Sequence, residues 1–479
     1  MRALPLLVLT AALFIAPAAK ADGSFTSSDP LLNRIWAASV KTATDMLAPG
    51  PLTVDFAGDP CAIDEPVVIL DGSNRDRCPY IGDEAVTGMT LLISTPSANA
   101  AVRNELDWFA ANQHSDGAIP ASPLAGGNQV LFDYESYWVQ CLYDYVLYTG
   151  DRTLAAQLWP NLVALMDTWY PSKARSDGLV VNDLGASDYA SIRRQGTLVA
   201  YFNAGYAMAL ERAAQIATWI GNTANARTWS TRAAALASPF NATFWDPKAG
   251  AYVDSPTGQT VHPEDGNVFA ILAGFASPAR AASALNYLSH VNSRPYGNTI
   301  ADNNTWDYPA VWGSNAKDRV FPFIGYFELL ARFRAGLDAS AIDLIRREWG
   351  FMLTHGPQQT MWEDIGPWGG GPKNADPSFD HGWSSGAAPA LTSYVLGVRP
   401  TSPGFATFIV DPHPGKTVTA ASGTMPTPNG DLTVAWKLVR GKPVVTVRAP
   451  AGERWANRPA RHSTSVSGNA VSPAKRSSR

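Results

Sequence analysis

Cysteine, charge and long apolar runs are all scarce in this chain of 479 residues. The three cysteines, Cys61, Cys78 and Cys141, are too few for a disulfide-built scaffold. The seven histidines form no HExxH-type pair, and Cys/His metal-ligand spacing is absent, so no metal site is read. Charged residues make up 16%, and a net charge of −4 gives no support for nucleic acid or a membrane surface as partner. Past residue 21 no run is long and apolar enough to span a bilayer. The glycine run Gly369-Gly370-Gly371 has neither GxGxxG spacing nor a following P-loop lysine, so it reads as a loop and not as a nucleotide site. No cofactor is expected.

What is present is aromatic. The 16 Trp and 16 Tyr are numerous against so little charge, and much of that content must be core. Met1 to Ala21 reads as a signal peptide: Arg2 supplies the charge, Leu4 to Phe14 the apolar segment, and Ala19-Lys20-Ala21 the small-residue cleavage site. The expected mature protein starts near Asp22 and is exported, either secreted or periplasmic. In that compartment Cys61 and Cys78 can oxidise to a disulfide, while Cys141, inside a helical pattern, reads as a buried thiol.

Helical periodicity recurs along most of the chain: Leu31–Leu47, Glu84–Ser94, Pro96–Gln113, Tyr134–Tyr148, Asp151–Tyr170, Leu198–Ile220, Asn225–Phe240, Asn267–Phe275, Pro278–Val291, Asp318–Ala335, Ala339–His355 and Trp383–Leu396. Short turns and long loops alternate between them. The pattern predicts a mainly α fold: an (α/α)6 toroid of six helical hairpins over 22–402, with long connections gathered at one end. From Gly404 the period changes to two. Phe405–Val410, Thr417–Thr419, Asp431–Trp436 and Pro443–Arg448 predict a small C-terminal antiparallel β module over 403–450, with Pro428-Asn429-Gly430 as a hairpin turn. Residues 451–479 lack periodicity and read as a disordered tail.

The most charged loop follows the apolar run Pro66–Leu70: Asp71-Gly-Ser-Asn-Arg75-Asp76-Arg77-Cys78-Pro-Tyr80-Ile-Gly-Asp83. Taken alone, such a loop also reads as a solvated segment with ion pairs. In an extended segment neighbouring side chains alternate, so Asp76 faces away from Arg75 and Arg77, and its carboxyl is left able to hold a proton. A second carboxylate must then come from elsewhere. The late loop Gln358–Trp368 supplies Trp362-Glu363-Asp364, and Asp380-His381-Gly-Trp383 follows it. Other long loops carry Asp183, Asp188 and Tyr189, and Asp302, Trp306, Asp307 and Trp312. Tryptophan beside carboxylate suits a saccharide, with a ring to stack on C–H faces and an acid for hydroxyls or chemistry. Each such tryptophan can equally be a core residue. Gly382-Trp-Ser384-Ser-Gly386 fits the GxSxG nucleophile elbow, but the Gly/Pro/Asn-rich stretch before it cannot be the buried strand that the elbow needs. Asn241 and Asn303 fit the N-glycosylation sequon.

Asp71-x4-Asp76-x6-Asp83 with Tyr80 resembles the acidic motif of the α-L-rhamnosidases of glycoside hydrolase family 78. Trp362-Glu363 resembles that family's general-base segment, and Asp380-His381-Gly-Trp-Ser-Ser-Gly its substrate-binding stretch. Leu32-Asn-Arg-Ile-Trp and Tyr394-Val-Leu-Gly-Val-Arg-Pro are similar too, so the likeness runs from Pro30 to Pro450. The resemblance implies Asp76 as general acid and Glu363 as general base. It implies sugar-binding roles for Asp71, Arg75, Asp83 and His381, with Tyr80, Trp362 and Trp383 as further substrate contacts. Tyr80 stands where the family usually has Trp, and the family's β-sandwich domains before the toroid are not read here. An inverting exo-glycosidase for terminal α-L-rhamnosyl residues, with a carbohydrate as partner and no cofactor, is the resulting expectation. The alternatives are an inverting glycosidase for another sugar, a polysaccharide lyase using Tyr80 or His381, and a saccharide-binding protein without turnover.

Overall fold

The computed structural model describes residues 22–56, 59–74, 77–123, 129–313, 315–372 and 377–455. Its helices are α1 (Pro30–Asp45), α2 (Ile81–Ser94), α3 (Asn99–Ala111), α4 (Tyr134–Thr149), α5 (Arg152–Gln157), α6 (Trp159–Ala164), α7 (Tyr170–Lys173), α8 (Ala200–Trp219), α9 (Thr223–Phe244), α10 (Glu264–Leu272), α11 (Pro278–Val291), α12 (Pro322–Arg334), α13 (Asp338–His355) and α14 (Ala387–Ala390). A π-helical turn, Leu391–Leu396, prolongs α14, and another, Leu165–Trp169, joins α6 to α7. The helix predicted over Asp151–Tyr170 is therefore segmented. Pro160 and Pro171 each stand in the first turn of a new segment, where a missing N–H costs nothing.

Burial separates the helices into two rings. Every residue of α2 is buried, and α10 and α12 are nearly so. A helix apolar on all sides must be surrounded. The inner helices α2, α4, α8, α10, α12 and α14 contact one another in that order, and α14 contacts α2 to close the ring. The outer helices bury one stripe only; in α1 it is Leu32, Ile35, Trp36, Ser39, Thr42 and Ala43. The Asp29 side chain caps α1 by accepting from the N–H groups of Leu31 (2.9 Å) and Leu32 (3.3 Å), and it also accepts from Arg346 of α13 at 2.6 Å. This is the (α/α)6 toroid of six hairpins. Each connection from an outer to the next inner helix is long, the returns are short, and so the long loops 46–80, 112–133, 174–199, 245–263, 292–321 and 356–386 share one end.

The strands are short except at the C-terminus: β1 (Ser24–Ser27), β2 (Leu47–Pro49), β3 (Leu52–Phe56), β4 (Asp59–Ile63), β5 (Val67–Ile69), β6 (Trp245–Asp246), β7 (Ala251–Tyr252), β8 (Ser293–Arg294), β9 (Gly297–Asn298), β10 (Val398–Pro400), β11 (Thr407–Val410), β12 (Ala420–Thr427), β13 (Gly430–Val439), β14 (Lys442–Arg448) and β15 (Arg454–Trp455). One sheet runs β1-β12-β13-β14 and a second β10-β11-β15. The hairpin turn closes where expected, with Thr427 opposite Gly430.

Three expectations need correction. Thr417–Thr419 is not a strand; the ladder begins at Ala420, where Lys437 lies opposite. The boundary at 403 falls inside the second sheet, because β10 pairs with β11. The tail is structured to Trp455, because β15 pairs in parallel with β11. Residues 1–21 and 456–479, which include the signal peptide and the rest of the tail, lie outside the described residues.

Candidate active site

Two loops far apart in sequence are joined backbone to backbone at the toroid's open end. Gly72 pairs with His381 in an isolated antiparallel bridge. The Gly382 N–H donates to the Asp71 carbonyl at 2.8 Å, and the Ser73 N–H to the Asp380 carbonyl at 3.1 Å. Ring closure permits this: one loop enters α2 and the other α14, and those helices touch. The early loop is held on its other flank by β2–β5, with Leu47 opposite Ile69, and by the Asp71 N–H donating to the Cys78 carbonyl at 3.2 Å.

The joined loops place His381 between two carboxylates. Its Nε2 lies 3.8 Å from Asp71 Oδ2 and its Nδ1 3.6 Å from Asp83 Oδ1, with all three side chains buried. Asp83 also accepts from the Tyr134 hydroxyl at 3.2 Å. That contact depends on Gly82, because a Cβ there would collide with the Tyr134 ring. Burial, with the Asp83 charge next, raises the Tyr134 pKa well above the ordinary phenol range, so the hydroxyl stays a donor. Asp380, beside His381, has its carboxyl pushed up to about 6, first by burial and then by the charge of Asp45.

Glu363 enters from the same late loop and is 1% exposed. Its N–H donates to the Ser378 carbonyl at 2.9 Å, and its carbonyl accepts from Trp383 Nε1 at 2.7 Å. The Trp383 ring stacks on Phe323 of α12 (5.1 Å, 21°) and lies 4.7 Å from the His381 ring. The next residue, Asp364, forms a buried ion pair with Arg319. Arg319 also donates through Nε to the Trp312 carbonyl at 2.8 Å and lies over the Trp312 ring. Residues 365 and 320 exchange hydrogen bonds of 2.9 and 3.0 Å, which pins the base of the Glu363 segment.

A second polar cluster lines the same end. Arg194 is buried and meets Asp188 (2.9 Å), Asp254 (2.6 Å) and Asp265 (2.6 Å), with Trp306 over its guanidinium at 4.7 Å. Burial raises the Asp254 carboxyl to about 6 against the pull of Arg194. One cation facing three carboxylates, all out of water, is an expensive arrangement that ties two loops to the first turn of α10. Tyr189 connects this cluster to the first site: its hydroxyl donates to Asp265 at 3.2 Å, and its ring packs on Phe321 and Phe323.

Of the residues singled out by sequence, Asp71, Asp83, Glu363, His381 and Trp383 are brought to one place. Tyr80 is half-buried at the N-cap of α2. Arg75 and Asp76 lie outside the described residues. Trp362 is buried edge-on against Phe379 (5.1 Å) and Phe351 (6.0 Å). Ser384 of the apparent nucleophile elbow is buried and donates to the Trp362 carbonyl, after a 3₁₀ turn (Gly382–Ser384) and no strand. Sequence reasoning did not find Tyr134, Arg319, Asp364 as an ion-pair partner, or Arg194. Only Asp364, adjacent to Glu363, carried a signal. Asn241 lies within α9 with its amide donating to the Ala237 and Phe275 carbonyls, so its sequon is occupied by structure. Among the described residues no cluster of His, Cys, Asp and Glu is arranged to hold a metal ion, and no helix is long and apolar enough to cross a membrane.

Residues 66–294 match the model of the bacterial α-L-rhamnosidase six-hairpin glycosidase domain, and residues 397–456 that of the bacterial α-L-rhamnosidase C-terminal domain. No curated protein matches in sequence. Among solved structures, a GH78 family rhamnosidase of Bacillus sp. GL1 is similar at a TM-score of 0.72 and 23% identity, over 93% of this chain and 44% of that one. A Streptomyces avermitilis α-L-rhamnosidase complexed with L-rhamnose follows at 0.69 and 19%, over 91% and 38%. A structure described as a sialidase is also similar, at 0.62 and 12%, over 87% and 38%. The chain thus spans less than half the length of these relatives, and at such identities they share its fold.

Proposed function

Because the chain belongs to the bacterial α-L-rhamnosidase family, with that family's six-hairpin and C-terminal domains, we propose that it is a glycoside hydrolase that removes a terminal α-L-rhamnosyl residue. The observation that carries this reading is the Gly72–His381 bridge, which brings the acidic loop to the Glu363 loop. Asp71, Asp83 and His381 form a dry, charged hydrogen-bonding set suited to the hydroxyls of one sugar. Asp76 donates a proton to the departing oxygen, and Glu363 takes one from a water attacking the opposite face. This is hydrolysis with inversion, and it needs the two carboxyls roughly 6.5–9.5 Å apart.

Hydrolysis of a panel of p-nitrophenyl glycosides tests the sugar. The α-L-rhamnoside should be the best substrate; preference for another sugar would select the nearest alternative on this fold. Glu363→Gln and Asp76→Asn should each lower turnover on an unactivated rhamnoside by about a hundredfold or more. Near-wild-type turnover by Glu363→Gln would remove it as the base. Proton NMR of the fresh product should show β-L-rhamnose first; the α-anomer first would indicate retention.

Export is part of the same proposal, with cleavage after Ala21 and a Cys61–Cys78 disulfide bracing the acidic loop. That bond would close a loop of about 17 residues and add about 3 kcal/mol in the chain-entropy model. Mass spectrometry of protein exported under oxidising conditions reads both features. An intact Met1, or two alkylatable thiols at Cys61 and Cys78, would overturn the respective part.

A further inference from the structure

Trp368 is the most exposed large hydrophobic residue described in the chain, at 76%. It also has a left-handed backbone (φ 59°, ψ 25°). Glycine or asparagine suits such a position; a bulky L-residue is strained there by about 1–2 kcal/mol. The strain is not relieved by packing, because among the described residues no aromatic ring or cation stacks on this indole. The backbone beneath it is nevertheless firmly held. Gly366 and Gly370 form a bridge (2.9 Å), and the Gly369 N–H donates to the Gly366 carbonyl (3.1 Å). The Trp368 N–H donates to the Tyr296 hydroxyl at 2.8 Å, and the Tyr296 ring packs on Phe351 at 5.8 Å. The result is a fixed tip that presents one bare indole to solvent. A local rule broken without a packing gain marks a functional position.

The tip stands on the toroid end that carries every long loop, five residues after Glu363. That chain length limits their Cα separation to about 18 Å. The bound keeps the exposed indole on the same rim as Glu363, outside the buried set of Asp71, Asp83 and His381. We infer that Trp368 is the stacking platform for the leaving group, a sugar or aromatic ring attached through the departing oxygen, and that it determines specificity there. The inference rests on the hydrolase reading above.

The test compares α-L-rhamnopyranosyl fluoride, whose leaving group has no ring, with a rhamnosyl-glucose disaccharide. Trp368→Ala should lower kcat/KM on the disaccharide about tenfold, mainly through KM, and on the fluoride less than twofold; Trp368→Tyr should restore most of the loss. Trp368→Gly should show the same substrate split together with a raised melting temperature, since glycine relieves the left-handed strain. Equal losses on both substrates, or none on the disaccharide, would overturn the inference. A fluorescence titration of the disaccharide into the Glu363→Gln protein keeps this separate from the hydrolase reading. Emission should shift to the blue on binding, and the shift should vanish when Trp368→Ala is added. Turnover of neither substrate with that shift intact would reject hydrolysis and keep the platform, whereas the absence of a shift would reject the platform.

Discussion

The indole of Trp383 is fixed at both ends, by its stack on Phe323 and by its N–H bond to the Glu363 carbonyl. The second contact makes it a positioning residue for Glu363 and not only an aromatic wall. Trp383→Phe keeps a stacking ring and removes the donor, which at a buried site costs about 1–2 kcal/mol. If that cost falls on the placement of Glu363, kcat drops about tenfold with KM and melting temperature nearly unchanged. A change confined to KM would assign Trp383 to substrate contact instead. The distinction also shows what was legible at this scale. His381 and Glu363 stood out because their neighbours in sequence form a short recognisable pattern. Tyr134 and Arg319 did not, because their partners Asp83 and Asp364 lie 51 and 45 residues away in the neighbouring hairpin, and only the packing of adjacent inner helices brings them together. Trp362 and Trp383 look alike in sequence, yet the first lies edge-on to Phe351 and Phe379 and the second donates to the Glu363 carbonyl.

Elements were legible where the hydrophobic period was long. The helices of the toroid appear within a few residues of their expected ends, because one buried face repeats over several turns. Short strands carried no such signal. β1, β3 and β4 were not anticipated, since four or five residues give too little alternation to register. Contacts that dock one element on another were invisible for the same reason, and His413 is the clearest case. It follows β11 and reaches Asp338 in the first turn of α13 at 2.9 Å, with Asp411 at 3.4 Å. Burial works against its charge, but hydrogen bonds to Asp338 and Asp411 raise its pKa to about 9. Asp411 is lowered in turn, chiefly by its hydrogen bond to His413, and Arg399 lies 3.1 Å from it on the other side. The folded value exceeds the ordinary 6.5, so the stabilisation is complete below pH 6.5 and is lost as pH rises through 9. Thermal melts should therefore show a fall between pH 7 and 10, worth about 1–2 kcal/mol. His413→Gln should be less stable at pH 7 and should flatten that fall. An unchanged slope in the variant would mean that another group titrates.

At the scale of the whole molecule, the two ends of the described chain are fastened together. β1 pairs along its full length with β12, placing Ser24 opposite Thr424 and Ser27 opposite Ala421. The Gly23 N–H donates to the Ser94 carbonyl at the end of α2 (2.7 Å), and Phe25 is buried against Trp36 of α1. Asp29 adds the bond to Arg346, which also donates to Thr417. The first residues are thus the edge strand of a sheet made otherwise from the last ones, and the toroid lies between them. Trp436 of β13 donates to the Val395 carbonyl at the end of the inner ring (2.9 Å), so the sheet is anchored from its centre as well. Deleting residues 22–28 would remove the buried Phe25 ring, worth about 2–3 kcal/mol, and leave β12 with unpaired backbone groups along an open edge. Two effects should follow. The melting temperature falls by several degrees, and light scattering shows self-association, because an uncovered edge strand pairs with whatever strand it meets. If the sheet were held by Trp436 alone, the truncated protein would melt as the full chain does and stay monodisperse. The strand would then be a passive cover, and the link between the chain's ends would carry no stability.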